Sequence, residues 1–293
     1  MQSTDRLIQG MAEGGDFRIL AAQTTDTVDT AREVLDLSPV ATDALGRALT
    51  GSLLLARLLD KNLKHQYVTL RFEGNGPLGV MIAEANVSGA ARGYVANPVP
   101  NAANLDVGRA IGHGRLTVIR GTPPAGKPYT SQVELHGSGV AQELTRYLAR
   151  SEQINSAVLL GVLNRREGVA AAGGIIVQSF PHASEESIER IEKRIKEAPA
   201  LSTLLEKMPI EDVVSTFFQG CDYKQIDPTF NVPLSYTCTC SRERALAPLA
   251  LFAPDELGAM ISEGGTEVVC QFCGRKYRFS ADDLLALTTK HDA

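Results

Sequence analysis

Tyr67-Val-Thr-Leu-Arg-Phe-Glu-Gly-Asn-Gly-Pro-Leu-Gly-Val-Met-Ile-Ala-Glu84 places two short runs on either side of a turn-rich centre. Tyr67 to Phe72 alternates in polarity, the period of a half-buried strand; Asn75-Gly76 is a turn signal, and Leu78 to Glu84 reads as the returning strand. Gly74-Asn-Gly-Pro-Leu-Gly79 also matches, formally, the glycine fingerprint of a dinucleotide site. The context of that fingerprint is missing. Pro77 sits inside the loop, a strand-like run follows where a helix should open, and no acid ends a second strand about 20 residues on. A hairpin is the reading that remains.

Working outward, further strands are expected at Arg92 to Ala96, Leu116 to Arg120, Ser131 to Leu135, Ala157 to Leu163 and Val169 to Gln178, the last two joined through Asn164 to Gly168. Before the hairpin, Ser38 can cap a helix, Pro39 suits its first position, and Leu45, Leu49 and Leu53 follow at i+4 spacing to about Asp60. Val140 to Ser151 is a second helical stretch. Short strands joined by turns with few helices between them predict an α+β fold, a mainly antiparallel sheet covered by helices.

After Phe180-Pro181 the composition shifts. Ser184 to Glu197 carries Ile188, Ile191 and Ile195 on one face, acids at its start, bases near its end, and Glu189–Lys193 and Glu192–Lys196 at i, i+4. Leu201 to Lys207 and Ile210 to Gln219 read as two short helices separated by Pro209, and Cys221 to Tyr236 as an irregular linker. The expected organisation is an N-terminal α+β domain over 1–180, a helical linker over 181–236, and a small C-terminal module over 237–293.

The chain has 293 residues, 44% of them hydrophobic and 22% charged, so it can bury a sizeable core. A net charge of −5, no Trp and 5% aromatic residues argue against a dedicated nucleic-acid binder. Met1 to Gly15 has no apolar signal region, and Val40 to Leu59 carries Asp43, Arg47 and Arg57, a poor membrane span. A reducing cytoplasm with no membrane partner is expected.

All five cysteines lie beyond residue 220: Cys221 alone, then Cys238-Thr-Cys240 and Cys270-Gln-Phe-Cys273. Four thiols in two close pairs within a core-poor module supply the tetrahedral set that Zn2+ prefers, with metal binding adding folding energy. The residues alone leave an inert zinc staple open beside a switch, and an iron–sulfur cluster as the second metal. A C-x-C pair closes only a tight disulfide, which hints at reversibility. Arg242, Arg244, Arg275 and Lys276 either lower thiol pKa values or form a solvated face. His65, His113, His136, His182 and His291 lack ligand or triad spacing, and no G-x-S-x-G elbow occurs, so no catalytic residue is expected. Cys221 receives no role.

Tyr236-Thr-Cys238-Thr-Cys240-Ser-Arg-Glu243-Arg244, with Glu267-Val-Val-Cys270-Gln-Phe272-Cys273 and Tyr277-Arg-Phe279, resembles the zinc-binding end of the redox-regulated 33-kDa heat-shock chaperones. Ala48 to Ala56, Gly74 to Gly79, Arg92-Gly93-Tyr94-Val95, Ser151-Glu152-Gln153 and Ala172-Gly173-Gly174 extend the likeness over essentially the whole chain. The resemblance implies a non-enzymatic, ATP-independent cytoplasmic holdase. It implies one Zn2+ on reduced Cys238, Cys240, Cys270 and Cys273. Peroxide with heat, or hypochlorous acid, then forms the disulfides Cys238–Cys240 and Cys270–Cys273, ejects zinc and unfolds the module. The linker loses its partner, and exposed apolar surface captures unfolding proteins. Dimerisation on activation and handover of clients to an ATP-dependent chaperone system are implied as well. Two rivals remain on the residues: a zinc-ribbon nucleic-acid-binding or transcription-associated protein using Arg275, Lys276 and Arg278, and a thiol-disulfide oxidoreductase using Cys270 and Cys273.

Overall fold

A computed structural model describes residues 5–59, 65–100, 105–122, 125–226 and 232–288. The chain divides into two units, Met1–Thr237 and Cys238–Ala293. The first runs β1 (Arg6–Ala12), β2 (Phe17–Gln23), α1 (Thr25–Leu35), α2 (Pro39–Ala56), β3 (Tyr67–Gly74), β4 (Val80–Asn86), β5 (Ala90–Val95), α3 (Val107–Ile111), β6 (His113–Thr122), β7 (Ala125–His136), α4 (Val140–Arg150), β8 (Ser156–Arg165), β9 (Gly168–Ser179), α5 (Glu185–Glu197), α6 (Leu201–Leu205) and α7 (Ile210–Phe217). It closes with the short strands β10 (Lys224–Gln225), β11 (Val232–Pro233) and β12 (Ser235–Tyr236).

The hairpin read from Tyr67 to Glu84 is present: β3 and β4 pair antiparallel from Tyr67 opposite Asn86 to Glu73 opposite Val80. Its connection is not the two-residue Asn-Gly turn. Pairing stops at Glu73 and Val80, and the intervening backbone leans on the α3–β6 corner, with Gly76 N–H donating to Ile111 O and Asn75 N–H to His113 O, each at 2.9 Å. A Cβ on Gly74 would lie 1.9 Å from Ile111 O, and one on Gly76 2.3 Å from Ala110 O. These glycines serve close backbone approach, so the nucleotide fingerprint has no phosphate-binding helix to act with.

Among the described residues two six-stranded sheets form, where the sequence suggested one. The first has the order β10-β1-β2-β9-β8 with β11 also on β1; the second has β12-β5-β4-β3-β6-β7. Pairing is antiparallel except for β12 beside β5. Helix α2 lies between the sheets, against β8 and β9 on one side and β3, β4 and β5 on the other. That position explains why buried residues run round most of its circumference, with the Asp43–Arg47 ion pair on the remainder. Ser38 Oγ accepts Ala41 N–H at 3.4 Å as the cap, and the helix ends at Ala56; the expected end at Asp60 falls outside the described residues.

The other face of the first sheet is covered by α5, α6 and α7. Ile191, Leu201, Leu205, Val213 and Phe217 bury against Phe17, Ile19, Ile175 and Val177. Arg6 holds Glu211 through Nε at 2.7 Å and Nη2 at 2.5 Å, and Arg194 donates to Thr216 O and Phe217 O. Ser184 caps α5 through Ser187 N–H at 3.1 Å. Of the two expected ion pairs, Glu192–Lys196 forms at 2.9 Å, whereas Lys193 turns to Glu197.

The stretch from Cys221 to Tyr236 is less irregular than its prolines suggest. Ile226 N–H donates to Gln9 O, Leu234 N–H to Asp5 O and Thr237 N–H to Ala91 O, so this segment is stitched to sheet edges. Edge amides and carbonyls supply partners that no local sequence period announces.

The second unit contains α8 (Arg242–Leu246), α9 (Pro254–Ser262), β13 (Gly265–Val269), β14 (Lys276–Ser280) and α10 (Ala281–Thr288). Its core is Leu249, Leu257, Phe279, Leu284 and Leu287. Among the described residues of the chain, no helix is long and apolar enough to cross a membrane.

Candidate metal centre

Strands β13 and β14 pair from Gly265 opposite Ser280 to Val269 opposite Lys276, and Cys270 to Arg275 form the turn between them. Cys270 N–H donates to Arg275 O at 2.9 Å, and Gly274 N–H returns to Cys270 O at 2.8 Å. Gly274 has φ +67°, a conformation glycine adopts without a side-chain clash. The sequence Cys-Gln-Phe-Cys-Gly thus folds both sulfurs toward one side of a tight knuckle.

Cys238 and Cys240 come from the irregular segment before α8. Ser241 caps that helix through Arg244 N–H at 3.2 Å, and Arg244 Nη1 donates to Thr239 O at 3.0 Å. Arg242 reaches across to Arg278 O at 2.7 Å and Asp283 Oδ2 at 2.8 Å while its guanidinium lies 4.6 Å from the Phe279 ring centroid. Arg242 is thus a strut from the segment after the C-x-C pair to the hairpin, whereas Arg244 braces the C-x-C segment internally. Lys276 and Arg278 both pair with Glu267 at 3.1 Å. Of the four basic residues singled out, Arg275 has electrostatic reach to thiols, those of Cys240 and Cys273.

The four sulfurs lie within 4.8 Å of one another, with Cys238 and Cys270 at 3.7 Å and Cys240 and Cys273 at 3.4 Å. A tetrahedron with metal–sulfur bonds of about 2.3 Å has edges of about 3.8 Å. The donor set therefore fits a thiophilic cation such as zinc with little rearrangement. All four are free thiols and half-buried. The mutual closeness does not select a disulfide pairing.

The sulfurs are not equivalent. Burial pushes Cys238 up to about 12 against the opposing hydrogen bond from Cys240 N–H, and burial also raises Cys273. Cys240 is drawn down to about 7, chiefly by the hydroxyl of Tyr277, which donates to its sulfur at 3.1 Å. Tyr277 stands on β14 opposite Val268, and the guanidinium of Arg275 reaches its phenolic oxygen. Its role beside a thiol was not read from the sequence; the available signal is a phenol one strand residue past the turn.

Cys221 is 1% exposed, belongs to the first unit and lies among the side chains under α7. Burial raises its pKa, the setting of an inert thiol. Among the described residues no histidine joins a metal-ligating group; His291 lies outside them.

Comparison with known proteins extends beyond the cysteines. The family model described as Hsp33 protein matches residues 5–280. The 33 kDa chaperonin of Thermus thermophilus is 45% identical over 97% of this chain and 87% of its own length. That of Levilactobacillus brevis is 38% identical over 99% of each chain. The crystal structure of the 33 kDa chaperonin (heat shock protein 33 homolog) from Thermotoga maritima superposes with a TM-score of 0.88 at 35% identity, covering 99% of this chain and 100% of that one.

Proposed function

The chain belongs to the Hsp33 family, and we propose that it is a redox-regulated, ATP-independent holdase switched by Cys238, Cys240, Cys270 and Cys273. Membership makes it a chaperone, a protein that binds unfolded clients. The observation that carries the switch is the gathering of four free thiols within 4.8 Å in a unit with five buried apolar core residues among those described. When bound there, one Zn2+ supplies charge neutralisation and a crosslink, worth about 10–16 kcal/mol in structural zinc sites.

The thiols do the sensing. Each pair of thiolates gives two electrons to one peroxide molecule, forming one disulfide and two hydroxide ions that take their protons from solvent; hypochlorous acid is an alternative two-electron acceptor. The pairing is Cys238–Cys240 and Cys270–Cys273. Disulfide sulfurs offer no anionic donors, so oxidation releases the cation and leaves the second unit to its small core. The segment Ser184 to Tyr236 is the conditional cover. Its α5–α7 layer lies on Phe17, Ile19, Ile175 and Val177, an apolar sheet face suited to partly unfolded chains. The charges of α5 keep it soluble once released. Client handover to an ATP-dependent chaperone, dimerisation on oxidation and a cytoplasmic location complete the reading.

The oxidoreductase alternative is disfavoured because Cys270 and Cys273 occupy a β-hairpin turn, not a strand-to-helix junction. A nucleic-acid site is disfavoured because Lys276 and Arg278 are committed to Glu267. The deciding experiment compares zinc-loaded reduced protein with peroxide-oxidised protein for suppression of client aggregation while counting released zinc. Oxidised protein is expected to suppress aggregation and to lose hydrogen-exchange protection across Ser184 to Tyr236. Equal activity in both states would reduce the site to a structural staple.

A further inference from the structure

Tyr277 and Arg275 distinguish one sulfur from the other three. The backbone N–H groups of Cys240 and Arg275 act electrostatically on Cys238 and Cys273, an influence of the local backbone rather than of a side-chain donor. Cys240 instead accepts the Tyr277 hydroxyl at 3.1 Å. The Arg275 guanidinium lies within electrostatic reach of that phenolic oxygen, and its charge favours polarisation of the O–H toward sulfur. The phenol is held by β14, whose register with β13 is continuous through Val268 opposite Tyr277.

We propose that Tyr277, polarised by Arg275, is a positioning residue that shields the Cys240 sulfur from oxidants and so sets which thiol of the cluster is oxidised first. The proposal rests on the redox-switch reading above and adds an order to it. In the loaded site all four sulfurs are thiolates, so the fraction deprotonated is not what separates them. What separates them is nucleophilicity, and a hydrogen bond to sulfur withdraws the electron density with which it attacks.

The chemistry balances with a hydroperoxide as oxidant. A thiolate attacks one peroxide oxygen, the O–O bond breaks, hydroxide leaves, and the sulfur becomes a sulfenic acid, oxidised by two electrons. A neighbouring thiolate then attacks that sulfur, the S–O bond breaks, a second hydroxide leaves, and the disulfide forms. Shielded Cys240 is the better second partner than first reactant, because the second step requires only that it lie beside an already oxidised sulfur. Cys238 and Cys273 are both within that reach.

The test uses full-length, zinc-loaded protein with metal content measured before oxidant is added. Hydrogen peroxide is applied with a sulfenic-acid trap of the dimedone class, and labelled peptides are sequenced by mass spectrometry to place the adduct. In the wild type Cys240 is expected to carry the smallest share. Tyr277→Phe keeps the ring and removes the donor; the rate of labelling at Cys240 should rise about 3- to 10-fold, the order of change that the shallow dependence of sulfur nucleophilicity on its surroundings allows. Arg275→Gln, at an exposed position, should move the same readout in the same direction by less, and it decides the matter if Tyr277→Phe fails to hold zinc. An unchanged Cys240 rate in loaded variants overturns the proposal and leaves the switch standing. Wild-type protein that keeps its zinc and takes no label overturns both.

Discussion

Asp5 carries its carboxylate into the first unit at 3% exposure, where it accepts Thr27 N–H at 2.6 Å and Asp26 N–H at 3.2 Å. Burial outweighs those hydrogen bonds and raises its pKa to about 6. A raised carboxyl pKa means that the folded chain holds the proton more tightly than the unfolded one. The stability it contributes is therefore greatest below about pH 4, declines as pH rises toward about 6, and is constant above that. Asp5→Asn keeps an acceptor and removes the titration. Relative to wild type, the variant should gain up to about 3 kcal/mol of unfolding free energy between about pH 4 and pH 7, since each pKa unit is about 1.4 kcal/mol. Urea unfolding of both proteins at the two pH values checks this, with titrations elsewhere cancelling in the difference. A pH-independent difference would mean that water reaches the carboxylate in the folded chain.

At the scale of elements, the α5–α7 layer is the part whose attachment can be graded. Ile191 is 2% exposed and is the deepest of the three isoleucines on α5; Ile188 and Ile195 are only partly buried. Truncating a buried isoleucine to alanine costs about 2–5 kcal/mol. The other contacts of α5, Arg194 to Thr216 O and Phe217 O, Arg190 to Glu13 and the partly buried Ile188 and Ile195, lie nearer solvent, so Ile191→Ala is expected to raise amide exchange across residues 185–197 while exchange in α2 stays slow, as hydrogen-exchange mass spectrometry would show. Under the proposed switch the same variant suppresses aggregation at a lower degree of oxidation. Slowed exchange in α5, or uniform loosening of α2, would contradict a separable cover. This layer was legible in the chain because α5 and α7 have clear apolar periods and Ser184 and Pro209 mark their starts. Strands β1 and β2 and helix α1 were not anticipated. Sheet one is covered on both faces, so β2 buries consecutive residues and loses alternation, and α1 begins Thr-Asp-Thr-Val-Asp-Thr, a run of weak helix formers held by its contacts with β9 and α2. The short strands β10, β11 and β12 exist through edge pairing alone, a tertiary property. At the metal centre the four sulfurs were legible from spacing, whereas the Tyr277 donor depends on hairpin register.

For the molecule as a whole, the two units differ in what orders them. The first has a core running through α2 and both sheets, from Leu7 to Leu234, together with the second cluster beneath α5 to α7. Among the described residues of this unit no potential metal-ligating group gathers. The second unit buries Leu249, Leu257, Phe279, Leu284 and Leu287 and leaves Leu251 87% exposed. Small cores of this kind depend on a crosslink, and under the proposed function a bound cation would supply it between the C-x-C segment and the hairpin turn. Removing zinc with a chelator at neutral pH, under reductant, should therefore unfold the second unit and leave the first folded. Limited proteolysis is expected to cut within 238–288 and to spare the α2 core, and adding zinc back should restore resistance without any thiol chemistry. Peroxide should produce the same cleavage pattern in the second unit, with recovery requiring a thiol reductant before zinc. This pair of reversals separates loss of the cation from oxidation of its ligands. If the chelated, reduced unit stays as resistant as the loaded one, its small core suffices and zinc loss cannot be the event that drives the switch.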